Sequence, residues 1–187
     1  MIAMLALPAT PAAAGWTLPC LFGGCSITLV SPEYAARPVK PLNPEAALAE
    51  INAFRTKNGR NPVVLDARLS QAAALQSKDQ AGRSSIGHYG SDGSKPTQRA
   101  ARAGFHAKIA SENVAAGQKS FSDALRSWEE SSGHRENLLR PEVTAIGVAM
   151  AKNESGRAYW TLVLGAEWPA CGPRPVAWLA FHEGCKV

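Results

Sequence analysis

Apolar residues first fall into a helical rhythm after residue 44. Leu48, Ile51 and Phe54 recur at intervals of three, with Arg55 beside them, and Asn58-Gly59 ends the run. Asn43 stands at the N-cap, Pro44 brings a preset φ to the first helical position, and Glu45 faces the positive end of the helix dipole. Val63-Val64-Leu65 reads as a short extended piece. Asp66 caps a second helix with Leu69, Ala72, Ala73 and Gln76 along one face and Gly82 as its stop. Residues 84–93, with Gly87, Gly90 and Gly93, read as a loop. Ser94 and Pro96 open a shorter helix that ends near Gly104. Ser120-x-x-Asp123 forms a capping box ahead of a helix lined by Phe121, Leu125 and Trp128. Residues 143–150 and 158–164 are strand-like, and Asn153-Glu154-Ser155-Gly156 between them predicts a hairpin. Helices first and antiparallel strands late give an α+β fold, with helices packed on a small, mostly antiparallel sheet.

The ends of the chain read differently. Residues 1–14 are small, apolar and uncharged, and resemble the late apolar part of a secretory signal peptide with an A-x-A type site at Ala12-Ala13-Ala14. Residues 15–43 hold several prolines and no sustained period, which predicts an irregular arm. The regular region spans 44–168, and a tail runs from 169 to 187 with Trp178 and Phe181. All four cysteines lie outside the regular region: Cys20 and Cys25 in the arm, Cys171 and Cys185 in the tail. An even number at the edges of an exported chain points to disulfides. Each pair closes on itself, or the arm is tied to the tail; spacing leaves both open. The spacings C-x4-C and C-x13-C fit zinc knuckles poorly. Together these features predict a secreted or periplasmic protein with no membrane span.

With 187 residues, 45% hydrophobic and 19% charged, the chain is long and apolar enough to bury a core. Its net charge of +5 is scattered. Arg99 with Arg102, and Arg55-Lys57-Arg60, read as solvated basic surface rather than a nucleic-acid arm. No nucleic-acid partner is expected; weak attraction to an anionic cell-envelope polymer is the alternative use of that charge.

Three polar groups stand out as candidates for chemistry. His88 sits between glycines in the loop, Glu112 lies just before the capped helix, and His134 follows that helix. Two imidazoles and a carboxylate suit a divalent metal such as zinc, with His88 and His134 as ligands, or a general acid/base set. Three polar groups bonded to nearby backbone are the bland alternative. No G-x-S-x-G elbow and no phosphate-binding glycine loop occur.

The same segments resemble the CAP superfamily, whose SCP-like domain is shared by cysteine-rich secretory proteins, plant pathogenesis-related proteins and bacterial exported proteins. The resemblance covers about residues 44–168. It is carried by Asn52-x-x-Arg55, Gly87-His88 with Ser91-Asp92-Gly93-Ser94, and Glu112-Asn113-Val114-Ala115. It continues with Trp128-x-x-Ser131-x-Gly133-His134-Arg135-x-Asn137-Leu138-Leu139, and with Ile146-Gly147-Val148-Ala149 before Tyr159-Trp160. It implies a three-layer α-β-α sandwich with a cleft lined by two histidines and two glutamates. His88 and His134 match the histidines and Glu112 the first glutamate. Ser131 stands where the second would fall, with Glu129 and Glu130 at other helical angles.

Three functions follow as expectations. One is a secreted, non-enzymatic module whose cleft (His88, Glu112, Ser131, His134) takes a metal or a small-molecule, lipid or peptide ligand. Another is a metal-assisted hydrolase with Glu112 accepting a proton from metal-bound water. The last is an envelope-associated interaction protein using the basic surface and the tail.

Overall fold

The computed structural model describes residues 16–19, 26–29, 33–34 and 37–168. The signal-peptide-like segment 1–14, all four cysteines and the tail 169–187 lie outside the described residues. The chain divides into two compact units, residues 1–38 and 39–187.

In the first unit, β1 (Trp16–Pro19) and β2 (Ser26–Leu29) pair antiparallel, Trp16 opposite Leu29 and Pro19 opposite Ser26. Part of the arm expected to be irregular is thus a two-stranded ribbon. The run Ser26-Ile27-Thr28-Leu29 alternates and carries β-branched residues, a signal masked by the surrounding glycines and prolines.

The second unit begins its regular structure at α1 (Pro44–Lys57), where Asn43 Oδ1 accepts from the Ala46 N–H at 2.9 Å. After β3 (Val64–Leu65), Asp66 caps α2 (Ala67–Arg83) by accepting from the Arg68 and Leu69 amides. This helix runs past the expected stop at Gly82. Ser84 takes the left-handed conformation (φ 50°) instead, and the Ser84 and Ser85 N–H groups close on the carbonyls of Ala81 and Gln80. Then follow α3 (Pro96–Arg102), β4 (Ala107–Ala116), α4 (Phe121–Glu130), α5 (Ser132–Leu138), β5 (Ala145–Lys152) and β6 (Ala158–Glu167). The strand order is β3-β5-β6-β4. β3 runs parallel to β5 and the other pairs are antiparallel, so the sheet is mixed and mostly antiparallel.

Alternation along β6 produces the layers. Trp160, Leu162 and Leu164 enter one core with Ile51 of α1, Phe121, Leu125 and Trp128 of α4, and Leu138 of α5. Val163 faces the other way, into a second core with Leu69 and Ala73 of α2, Ala100 of α3, and Phe105. A strand buried on both faces loses the polar alternation of a half-exposed one. The result is an α-β-α sandwich.

The Asn52-x-x-Arg55 pair ties this sandwich together. Asn52 exchanges hydrogen bonds with the Val63 backbone at 2.8 and 2.9 Å. Arg55, read from sequence as surface charge, is fully buried and donates to the carbonyls of Asn61, Leu138, Arg140 and Val143. Four carbonyl dipoles stand in for an acidic partner, and burial pulls its pKa below the ordinary arginine value.

Candidate functional site

The site forms where both helical layers meet over the edge strand β4. Alternation along β4 turns Glu112 toward α3 and Asn113 toward α5. Glu112, read from sequence only as lying just before the capped helix, sits in mid-strand on β4, an element the sequence reading did not assign. The missed signal is weak: residues 107–116 hold four alanines and a central Ser-Glu-Asn, with little apolar contrast between faces.

On the α3 side, Glu112 is buried and both its oxygens are bonded. Oε1 meets His88 Nδ1 at 3.0 Å, and Oε2 accepts from Arg99 Nη2 at 2.7 Å. Arg99 is 3% exposed, which corrects its reading as solvated surface. It also donates to the His88 carbonyl at 3.0 Å and to the Ser94 carbonyl at 2.7 Å. One guanidinium thus fixes both ends of the His88 loop and the carboxylate that orients its ring. Gln76 of α2 adds a bond to the Gly87 carbonyl at 2.6 Å. Arg99 was missed because a basic residue at the end of a short helix looks like solvated charge; only the fold brings Glu112 to it.

On the α5 side, His134 follows α4 as expected and lies within the short helix α5, which the sequence reading did not anticipate. Asn113, wholly buried, donates to the His134 carbonyl at 3.0 Å and accepts from Asn137 Nδ2 at 2.9 Å. Trp128 Nε1 donates to the Val114 carbonyl at 3.0 Å and so holds α4 against the edge of β4. Ser131 begins α5 without a side-chain capping bond, which leaves its hydroxyl uncommitted at the helix start. A cavity of about 400 Å³ opens here, lined by Val114, Ala115, Trp128, Ser131 and His134, with Ile86 and Arg157 at its margin.

The two histidines share one electrostatic environment. The hydrogen bond to Glu112 raises the His88 pKa above its ordinary value against the opposing effects of burial and Arg99. Burial lowers that of His134, and the charge on His88 lowers it further. The structure thus joins His88, Glu112 and Arg99 by hydrogen bonds and sets Ser131 and His134 along one cavity, and the effect of the His88 charge on His134 links the two groups. Glu129 points elsewhere: burial raises its pKa, and its charged neighbours are Arg135, Lys57, Glu130 and Glu50.

Among the described residues no group of three or more His, Cys, Asp or Glu side chains is placed to share a metal ion. Glu112 is engaged by Arg99, and Ser131 supplies no carboxylate, so two imidazoles remain as ligands. That set falls short of the three protein ligands usual for a catalytic zinc.

No helix among the described residues is long and apolar enough to cross a membrane. Over 110 residues the chain is 36% identical to the Bacillus subtilis protein YkwD, covering 59% of this chain and 42% of that relative's length. Its fold is similar to an outer surface protein from Borrelia burgdorferi, with a TM-score of 0.60, 21% identity, and coverage of 66% of this chain and 92% of that one. It is also similar to an SCP-domain extracellular protein from Bacillus anthracis, with a TM-score of 0.58, 22% identity, and coverage of 68% and 45%. The family model for cysteine-rich secretory proteins matches residues 48–164, and the chain belongs to that CAP family.

Proposed function

We propose that this chain is an exported, non-enzymatic binding domain whose ligand enters the cleft around His88, Glu112 and His134. The observation that carries this reading is the state of Glu112. A carboxylate bonded to an imidazole on one oxygen and neutralised by a buried guanidinium on the other orients a histidine. Both of its oxygens are already engaged within the protein, so it serves to position the ring. The metal-assisted hydrolase would need Glu112 released from these bonds and a third metal ligand besides the two imidazoles. Export is supported by the apolar alanine-rich start, by cysteines placed only at the edges, and by the surface and extracellular descriptions of the two similar structures.

The test pairs calorimetry with turnover. Zinc titrated into the purified chain is expected to give no saturation near micromolar metal, and His88→Ala and His134→Ala to change little. A peptidase and esterase panel is expected to stay silent with and without zinc. Zinc-dependent hydrolysis lost in both variants overturns the binding-only reading.

A further inference from the structure

The hydrogen-bond phase of β4 decides what the cavity beside His134 offers. The Asn153 N–H bonds the Arg157 carbonyl at 3.0 Å, and the Gly117 N–H bonds the Ala158 carbonyl at 2.8 Å. With Ala115 opposite Trp160 and Val114 opposite Thr161, the alternation of an antiparallel ladder turns Ala115 toward β6 and both Val114 and Ala116 away from it. Contacts from outside the sheet agree: Trp128 Nε1 reaches the Val114 carbonyl, and Arg157 Nη2 reaches the Ala116 carbonyl at 3.5 Å.

The two outward carbonyls are therefore occupied, while the outward N–H groups of Val114 and Ala116 have no acceptor among the described residues. A complete added strand is excluded, because its own N–H would need the Val114 carbonyl that Trp128 holds. What remains is a set of donors two residues apart, at the repeat of an extended chain. Arg157 stands beside them without an acidic partner among the described residues, and no Asp or Glu lines the cavity. Trp128, Val114 and the half-exposed Ile86 supply apolar surface. Gln118 lines the same cavity, and its buried Oε1 has no partner among the described residues, so it can accept from one donor.

Resting on the binding reading above, we propose that this cavity takes the free carboxyl end of a short extended peptide with a small apolar last residue. The terminal carboxylate lies on Arg157 and the Ala116 N–H. The carbonyl two residues before it, on the same edge of the extended chain, meets the Val114 N–H, a peptide N–H donates to Gln118 Oε1, and an apolar side chain packs on Trp128. A carboxylate on a guanidinium is a charge-assisted pair, stronger than the neutral bonds around it. The cavity, at about 400 Å³, suits one or two small residues and no more.

The test is a two-dimensional amide NMR titration of the full chain with N-acetyl-Ala-Ala, against its C-terminal amide and against hexanoate. The free acid is expected to shift the Val114 and Ala116 amides and the Trp128 indole, and to bind at least about tenfold more tightly than the amide. Hexanoate, lacking the peptide groups, is expected to bind more weakly than the peptide acid. Arg157→Gln is expected to remove the preference for the acid, and Lys78→Gln, an equal charge change beside the β5–β6 hairpin, to leave it intact. The Arg157 side chain is exposed, so its replacement spares the core. Equal binding of acid and amide, an acid preference that survives Arg157→Gln, or no shift at β4 overturns the assignment. Hexanoate matching the peptide acid overturns its peptide part. Hydrolysis of the peptide would instead overturn the binding-only reading and leave this site standing.

Discussion

Arg99 and Glu112 form an ion pair 2.7 Å long with both side chains almost wholly buried, and each grips a different part of His88. Removing one partner of such a pair leaves an uncompensated charge in the interior, at a cost of about 3–5 kcal/mol. Arg99→Met and Glu112→Gln are each expected to fall in that range in urea denaturation. The double variant is expected to lose clearly less than the two costs added, because it leaves no lone charge. Additive losses would mean that the pair carries no coupling.

The histidines are expected to titrate in a fixed order. In an NMR pH series His88 protonates at higher pH than His134, on either side of the ordinary value of about 6.5. Glu112→Gln removes the bond that raises His88 and brings the two midpoints together. The linked effects on stability have opposite signs. The His88 contribution is fully present below its unfolded value and fades as pH rises through its raised folded value. The His134 contribution runs the other way, since a ring that resists protonation in the folded state costs stability as pH falls below its unfolded value. His88 is half exposed, so the net slope near neutrality is small.

Three helices were legible because each carries its own punctuation: Asn43-Pro44, Asp66 and Ser120-x-x-Asp123 all cap where the sequence places them, whereas α5 has no side-chain cap and was not read as a helix. The β5–β6 hairpin was legible from strand-like runs on either side of a turn. The edge strand β4 was not, since alanines supply little contrast, and its neighbours in space lie far away in sequence. His88, Glu112 and His134 stood out by local context, and the family resemblance then matched them to cleft positions. Arg99 and Arg55 were hidden because a buried arginine and a solvated one look alike until their carbonyl and carboxylate partners are known. Gly147 appeared only as part of a motif; its reason is a close approach invisible to local reading.

That approach supports a stability prediction. A Cβ at Gly147 would lie 2.0 Å from the Leu69 carbonyl carbon and the Ser70 nitrogen. Backbone of α2, not a movable side chain, blocks the space, so strand β5 and helix α2 must separate to admit a methyl group. Gly147→Ala is expected to cost about 3 kcal/mol or more in thermal or urea unfolding, at the upper end of overpacking. Gly82→Ala, in open space on the same helix, is expected to be neutral or slightly stabilising. Similar midpoints for the two variants would refute the close approach.

Acid sensitivity is expected at the start of α2. The bonds from Arg68 hold the Asp66 carboxyl below its ordinary value, aided by the helix-capping amides. Its stabilising contribution is present above the unfolded value, about 3.9, and is lost as pH falls through the lower folded one. Asp66→Asn is expected to flatten the fall in unfolding free energy below that point. It should also lower stability at neutral pH, because the ion pairing through Arg68 to Glu167 loses one of its two carboxylates. An unchanged acid limb would place the acid sensitivity elsewhere.

Ser131 offers a gain-of-function test of the metal question. It opens α5 beside His134 with no capping bond from its own side chain, so a longer acid there displaces no internal partner. Two imidazoles alone make a weak zinc site, and a carboxylate as third ligand makes a conventional one. S131E is therefore expected to bind zinc at least about tenfold more tightly than the natural chain in calorimetry. The gain is expected to vanish in His134→Ala on the same background. Binding should weaken below neutrality as the imidazoles protonate, since only their neutral form ligates. If S131E gains no zinc affinity while remaining folded, His88 and His134 do not converge closely enough to share an ion. The cleft would then recognise its ligand through hydrogen bonds and charge alone.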